Sequence, residues 1–469
     1  MGSDDYFILT FSDVPGERLS LANFVQLTTE ATGAHFTADT DTEAALASTT
    51  IVLPGQVRVP KPRFLAFARF QLFLRGFGCF GDESSGFTIR PASAALVRLA
   101  FPPADACSGL DERGHAEAVD SHRPFEAERV GVVQQEKGAQ DYLLVPACSG
   151  SEATLMDLAG KTLRSWKDPE ATGGRWDQVL PLRDGDLLCL DSRKEVLLRL
   201  QPDGKLRWRL ALAVHHQADE LPDGNVLVLT RRAKLVPSID PARRTIDSLV
   251  TLVSGDGRVL AEHSLLDMLK AGGIPLERPR ALDQLPPEYD FDLLHASSLD
   301  HIDDADAAEG ESPFQRGRVL VTLRNLDLVA LFDLALGRCV WTSDKGRLEN
   351  PHDVRRLGNG NLLVLDGLDT GGGARVIALD PLTERALWQY KSSQHGAARF
   401  AGQGTLEPRA NGNVLVGLAD EAFEVTRAGK LVWRHVNPPP GEPGRFGPSW
   451  SRLLPSEAAL LALPADAPR

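Results

Sequence analysis

The stretches HHQADELPDGNVLVL (215–229) and HDVRRLGNGNLLVL (352–365) share one plan. Each opens on histidine, passes through a polar turn containing Gly-Asn, and enters a short apolar run. Asp-Gly and Asn-Gly supply the positive φ of tight hairpins, so each stretch reads as strand, turn, strand. The turn recurs in LPLRDGDLLCL (180–190) and PRANGNVLVGL (408–418). Strands closing on tryptophan complete the unit: AGKTLRSW (159–166), DGKLRW (203–208), LGRCVW (336–341), LTERALW (382–388) and AGKLVW (428–433). Trp166 and Trp208 are 42 residues apart, and Trp341, Trp388 and Trp433 are 47 and 45 apart. The 133 residues between Trp208 and Trp341 hold two units plus inserted loops.

A repeat of about 40 to 50 residues with four short strands predicts a β-propeller. A four-stranded sheet with two apolar faces buries them only against neighbouring sheets. The expected fold class is therefore all-β, a six-bladed β-propeller over residues 111–440, with units at 115–170, 175–210, 214–262, 290–343, 349–392 and 402–437. An α/β domain would need amphipathic helical stretches between the strands, and 120–437 has none. The segment 263–289 is expected to be an excursion with a short helix near 264–270, and the acidic 301–317 a long hairpin loop. Residues 1–110 predict a small mainly-β domain. Within it the Phe-rich PKPRFLAFARFQLFLRGFGCF fits a strand pair or a helix face equally well. The Pro- and Gly-rich tail, 441–469, is expected to pack on the outside of the propeller.

Among the 469 residues, 51 Lys and Arg face 64 Asp and Glu, a net charge of −13. That balance argues against nonspecific contact with nucleic acid or an anionic membrane. The five cysteines show no CxxC spacing, so thiolate ligation of zinc or iron–sulfur is not expected. No run of 18 apolar residues predicts a membrane span. The acidic start MGSDDYFILTF lacks the features of a signal peptide, which points to a cytoplasmic location. A homo-oligomer is left open.

His216 and His352 each lie five residues before the turn leucine, Leu221 and Leu357. Equivalent positions of a propeller lie at one end and point toward its axis, so two imidazoles 136 residues apart are expected to meet. His295 and Arg324 come from the intervening unit. An arginine fork matches paired oxygens of a tetrahedral anion, and imidazole serves as nucleophile, acid or base near neutral pH. The set predicts a site for sulfuryl or phosphoryl transfer. There is no Walker or Rossmann glycine pattern and no carboxylate cluster for Mg²⁺. His395, in KSSQHGAARF at the start of the last unit, is a further candidate for substrate contact.

These residues resemble the bacterial arylsulfate sulfotransferases. The matching motifs are His215-His216 before LPDGN, Asp292, His295, Ser297 and Ser298 in a D-x-x-H segment, and Thr322 with Arg324 at a strand end. His352-Asp353 before GNGN, Asn411–Asn413 and EVTRAGKLVW (424–433) complete them. The resemblance covers about 200–437, is weaker over 115–200, and rests on position alone over the first 110 residues. It implies a six-bladed propeller behind a small β domain, with an aryl sulfate donor, a phenolic acceptor, no nucleotide and no other cofactor. It also implies a covalent sulfohistidine on His352. His216, His295 and Arg324 would then hold the sulfate oxygens, with His215 and Ser297 at the substrate. An unperturbed imidazole puts the acid limb of the donor step near about 6.5. Two positions depart from the family pattern: Gln217 stands where the family has Asp, and Ser297 where it has Asn. The alternatives are a propeller that only binds a protein or small molecule, and a quinone-dependent dehydrogenase. Convergence of His216, His295, Arg324 and His352 on one pocket separates the enzyme from the scaffold.

Overall fold

The computed structural model describes residues 6–11, 18–51, 55–82, 84–92, 100–101, 131–135, 141–147, 150–170, 174–279, 282, 290–303, 312–367, 373–395, 404–409, 411–438 and 445–453. They fall into two compact units. The first is Met1–Glu126 with Ala233–Ile246 and Glu277–Leu293; the second is Ala127–Arg232, Asp247–Leu276 and Leu294–Arg469.

The first unit mixes helix and strand. Its order is β1 (Tyr6–Phe11), α1 (Leu21–Thr32), β2 (Phe36–Thr37), α2 (Thr40–Ser48), β3 (Gly55–Pro60), α3 (Phe64–Leu74), β4 (Phe77–Asp82) and β5 (Gly86–Pro91). β1 pairs with β3, and β5 lies between β2 and β4. Ser20 caps α1 by accepting from the Asn23 N–H, and left-handed Gly33 ends it; Asp39 caps α2 in the same way. The Phe-rich run is helix and then strand. Gly76, at φ 83°, makes the break, and Phe64 and Phe67 pack edge-on against Phe24 of α1. The expected mainly-β N-terminal domain is thus corrected: caps at Ser20 and Asp39 start two helices, and a third buries Phe64, Phe67, Phe70 and Phe73.

The second unit is mostly β, with several four-stranded antiparallel sheets that resemble propeller-type folds. The second sheet is Gln178–Pro181, Leu187–Asp191, Val196–Leu200 and Leu206–Ala211. The third is Val214–Glu220, Val226–Val236, Asp240–Val253 and Val259–Ser264, with 233–246 at its hairpin tip belonging to the first unit. The fourth is Ala296–His301, Arg318–Leu323, Leu328–Asp333 and Arg338–Thr342. Asp353–Arg356, Leu362–Asp366, Arg375–Leu379 and Ala386–Lys391 make the fifth. The sixth is Gly404–Pro408, Val414–Leu418, Glu421–Val425 and Leu431–Val436, with Gly131–Gln135 added outside. Ser451–Leu453 begins the first sheet, followed by Tyr142–Pro146, Glu152–Asp157 and Thr162–Lys167.

Of the expected tail, Ser451–Leu453 pairs with Tyr142–Pro146 as part of the first sheet and not on its outside, while 441–444 and 454–469 lie outside the described residues. The start of the fourth unit also moves. Asp290–Asp292 pairs with Thr245 and Ile246 in the first unit, so the fourth sheet begins at Ala296. Helix α4 (Leu265–Ala271) lies within the expected excursion, capped by Ser264; 280–281 and 283–289 lie outside the described residues. So does 304–311, the middle of the acidic loop between two paired strands.

Outer tryptophans tie one sheet to the next. Trp166 donates to the Pro202 carbonyl, Trp208 to that of Gly255 and Trp433 to that of Leu158, at 2.9, 3.0 and 2.9 Å. Each acceptor sits in the turn before the next sheet's outer strand. Inner strands are tied by side chains accepting backbone N–H groups. Gln178 accepts from Ala218, Gln217 from Leu299, Ser298 from Val354, Asp353 from Leu406 and Thr405 from Trp450. The distances run from 2.7 to 3.3 Å. Buried N–H groups are costly to leave unpaired, so this ladder fixes the register between neighbouring sheets.

Candidate functional site

The ladder identifies equivalent residues. One position before each accepting side chain stand Asp177, His216, Ser297, His352 and Gly404, from five successive sheets. All five line a single cavity of about 120 Å³, as does Pro448 ahead of the first sheet's inner strand. That volume holds several waters or a small group. His216 and His352 are thus structurally equivalent, as their common offset from Leu221 and Leu357 predicts.

Four imidazoles cluster here. The His216 ring centroid lies 5.1 Å from that of His215, 5.0 Å from His295 and 5.4 Å from His352. His216 and His295 both take left-handed backbone, at φ 56° and 44°. Such conformations are costly for bulky residues and cluster at functional sites. In His216 the turn lies in an irregularity between Val214 and Ala218; His295 stands just before the fourth sheet. Arg324 follows that sheet's second strand, and its Nη1 reaches His295 Nε2 at 3.4 Å.

Hydrogen bonds fix the tautomers. His352 Nδ1 lies 2.8 Å from the Gly404 oxygen and 3.3 Å from the Gly404 N–H; a carbonyl only accepts, so the shorter contact takes Nδ1–H as donor and leaves the lone pair on Nε2. His215 likewise donates from Nε2 to the Thr230 oxygen at 3.2 Å. Its Nδ1 then receives the His216 Nδ1–H at 2.9 Å. Burial, reinforced by Arg324 and His295, pushes the His352 pKa down to about 3. Burial also drives His216 well below the ordinary histidine value, helped by the neighbouring imidazoles and Arg324. Both rings are neutral at pH 7.

Ser297 lines the cavity and shares a 2.8 Å hydrogen bond with the Thr322 hydroxyl. Gln217 serves the inter-sheet ladder and also accepts from Arg355 at 3.1 Å. Asp353 does not touch His352; it accepts from Leu406 and pairs with the half-buried Arg355. His295 and Arg324 approach the cluster but are not among the residues lining the cavity. His395 is withdrawn from the set. Its Nδ1 bonds the Tyr390 hydroxyl at 2.7 Å and its Nε2 the Glu421 carboxylate at 2.9 Å, so both nitrogens are engaged elsewhere.

Residues that the motifs did not mark also line the cavity: Arg175, Trp176, Asp177, Ser192 and Arg231. Asp177 was accessible to the register rule, since it lies five residues before Leu182, the turn equivalent of Leu221. Arg175 pairs with Asp177 at 3.0 Å, and Arg231 donates to the Ser192 carbonyl at 3.2 Å. Among the described residues no group of three or more His, Cys, Asp or Glu is arranged to hold a metal ion. No described helix is long and apolar enough to cross a membrane.

A protein-family profile described as outer membrane protein assembly factor BamB matches residues 247–443. No curated protein sequence matches the chain. Among solved structures, a protein of unknown function from Bacteroides caccae is similar at 17 % identity and TM-score 0.45, over 67 % of this chain and 99 % of that one. A virginiamycin B lyase from Staphylococcus aureus is similar at 11 % identity and TM-score 0.40, over 70 % and 99 %. Likenesses at this level carry nothing about the chemistry of this chain.

Proposed function

We propose that the second unit closes into a six-bladed β-propeller whose axial cavity moves a sulfuryl group from an aryl sulfate to a phenol. Closure is supported by the ladder from the second sheet round to the first, and by the Trp433 bond from the sixth sheet to the first. The observation that carries the chemistry is His352, buried, neutral and on the cavity wall, with Nδ1–H held by Gly404 and Nε2 left as the nucleophile.

In the donor half-reaction the Nε2 lone pair attacks sulfur and the S–O(aryl) bond breaks. The phenolate leaves with the electron pair and takes its proton from water. In the second half the acceptor phenol passes its proton to the His216 Nε2 lone pair, from which it returns to water; its oxygen attacks sulfur, and the N–S bond breaks to restore His352. His295, backed by Arg324, supplies hydrogen bonding and positive charge where the sulfuryl oxygens gain charge. Neither half needs a nucleotide. A narrow axial cavity favours this relay over binding both substrates together, and the kinetics are ping-pong.

The test is 4-nitrophenyl sulfate with phenol and no nucleotide. Without acceptor, about one nitrophenol per site is released in a burst, and peptide mapping at neutral or basic pH finds a sulfuryl adduct on the His352 peptide. No burst and no adduct refutes the transfer. A full burst from His352→Ala moves the nucleophile to His216 or His295. The pH expectation is revised by the burial of His352: the acid limb of the donor step lies near about 3 and not 6.5.

A further inference from the structure

His215 and His216 are neighbours in one strand, where successive side chains ordinarily point to opposite faces. Yet their rings touch, Nδ1 to Nδ1 at 2.9 Å and edge to face. The backbone makes the contact possible: His216 sits at φ 56°, in the pairing irregularity between Val214 and Ala218. Left-handed backbone is strained for a residue with a Cβ and persists only where the surroundings impose it. His215 is firmly placed. It is 5 % exposed, and its Nε2–H reaches the Thr230 carbonyl of the adjoining strand at 3.2 Å. The Thr230 hydroxyl is held in turn by that of Thr251, at 2.6 Å.

A carbonyl only accepts, so the order of hydrogens along this chain follows: His215 Nε2–H to Thr230, then His216 Nδ1–H to His215 Nδ1. His216 keeps its lone pair on Nε2, which bonds no described residue, and its ring lines the cavity. Once His352 carries the sulfuryl group, the other rings have no lone pair to offer. His352 Nδ1–H is turned to Gly404 and its Nε2 holds sulfur. His215 Nδ1 is taken by His216. Arginine only donates, so His295 Nε2 accepts from Arg324 Nη1 at 3.4 Å, and the His295 hydrogen is on Nδ1. An acceptor phenol is left with one imidazole to take its proton, and His215 decides the tautomer of that imidazole.

We propose that His215 is a positioning residue: by accepting the His216 Nδ1–H it holds His216 in the tautomer whose Nε2 is the base for the acceptor phenol. This role rests on the sulfuryl-transfer reading for its phenol and on the His215–His216 contact for its tautomer. It moves His215, expected from the sequence at the substrate, one step back, because protein groups engage both its nitrogens. A catalytic imidazole set in its tautomer by a third group loses rate through the wrong tautomer when that group is changed.

Asparagine and glutamine separate the two nitrogens of His215. Asn puts its side-chain oxygen where Nδ1 stood and accepts from His216; Gln reaches the Thr230 carbonyl instead and leaves His216 without that acceptor. Nitrogen NMR of the full-length protein, labelled on histidine at pH 7.5, should show the His216 hydrogen on Nδ1, assigned by its loss in His216→Gln. His215→Asn should keep that pattern and His215→Gln should move the hydrogen to Nε2. In His215→Gln, transfer from the preformed adduct to phenol should fall about a hundredfold, while the burst with 4-nitrophenyl sulfate changes only a few-fold. His215→Asn should recover most of the loss. Pentafluorophenol, ionised at pH 7.5, brings no proton, so with it the Gln variant should stay within a few-fold of the parent. A His216 hydrogen on Nε2 in the unaltered protein overturns the proposal. So does a Gln variant slowed equally in both halves and with both acceptors, which is what a purely structural role gives. No burst from the unaltered protein sinks the transfer reading and the base role with it; a burst whose second half is indifferent to His215→Gln sinks this proposal alone.

Discussion

The inner strands of successive sheets set two residues side by side, and the two accept variation very differently. At one position stand Gln178, Gln217, Ser298, Asp353 and Thr405, five side chains that each accept an N–H from the next sheet. At the position before it stand Asp177, His216, Ser297, His352 and Gly404, which share no chemistry and all face the cavity. The first position answers to folding, since a missing acceptor would strand a buried backbone donor. The second answers only to what occupies the cavity. Gly404 shows how local that freedom is: a Cβ there would meet Leu365, Gly417 and Leu418 at 2.6 to 2.9 Å, while its carbonyl orients His352. Histidine in the third and fifth sheets, against Asp177 and Gly404 in the second and sixth, brings two imidazoles to the cavity 5.4 Å apart.

Exchanging the roles of the two positions should separate activity from stability. His352→Ala is expected to lower sulfuryl transfer by on the order of 10³-fold, with the thermal midpoint at pH 7.5 moved far less than by the neighbouring substitution. Asp353→Ala should destabilise by about 3 kcal/mol, because it leaves the Leu406 N–H without its acceptor and Arg355 short of a buried counter-charge. Denaturant unfolding measures this, and Asp353→Asn should recover part by keeping an acceptor for Leu406. If Asp353→Ala is neutral, the ladder is not what holds the register.

Arg324 lies outside both positions and reaches the cluster through His295. Arg324→Leu should cost about a hundredfold in turnover, near 3 kcal/mol of transition-state charge stabilisation. Arg324→Lys should restore little, because an ammonium lacks the planar fork. Turnover within a few-fold of normal in the Leu variant would detach the His295–Arg324 pair from the chemistry.

What was legible in the sequence follows the same division. Turns and closing strands repeat because every sheet solves the same packing problem, so the strand units were readable from Gly-Asn and Trp spacing. The common offset of His216 and His352 from a turn leucine was readable for the same reason. Asp177 obeys that offset too, but an aspartate before an Asp-Gly turn looks like ordinary turn chemistry. Arg175 and Arg231 carry no repeat signal: Arg175 pairs with Asp177 beside it, and Arg231, in the third sheet, donates to the Ser192 carbonyl of the second. His395 looked well placed by position along its unit, yet Tyr390 and Glu421 claim both its nitrogens, and such pairing is invisible in one dimension. In the first unit the helices were signalled locally, by Ser20, Gly33 and Asp39 at their ends; alternating apolar residues in the flanking strands masked those caps.

The smallest expected effect is on stability, and it tests the neutral state of His352 directly. An ordinary histidine in the unfolded chain titrates near about 6.5, whereas burial holds His352 at about 3 in the folded protein. Between those values the unfolded state binds the extra proton, so stability falls as pH drops below about 6.5 and the loss is complete only near 3. At pH 5 the difference integrates to about 2 kcal/mol, and at pH 7.5 to almost nothing. Burial pulls the other way at Asp300, whose carboxyl rises to about 6 despite Arg355; its stabilisation is present at low pH and is lost as pH rises through that value. A bare stability–pH curve therefore mixes opposing slopes. The difference between the unaltered protein and His352→Gln removes Asp300 and every other group common to both. On going from pH 7.5 to pH 5, the Gln variant should gain about 2 kcal/mol relative to the parent, read from paired urea unfolding curves at each pH. His216→Gln should shift in the same direction, because its ring is also held neutral by burial. A difference independent of pH would mean that His352 is protonated as readily in the folded chain as in the unfolded one. The neutral nucleophile at the cavity wall would then lose its physical basis.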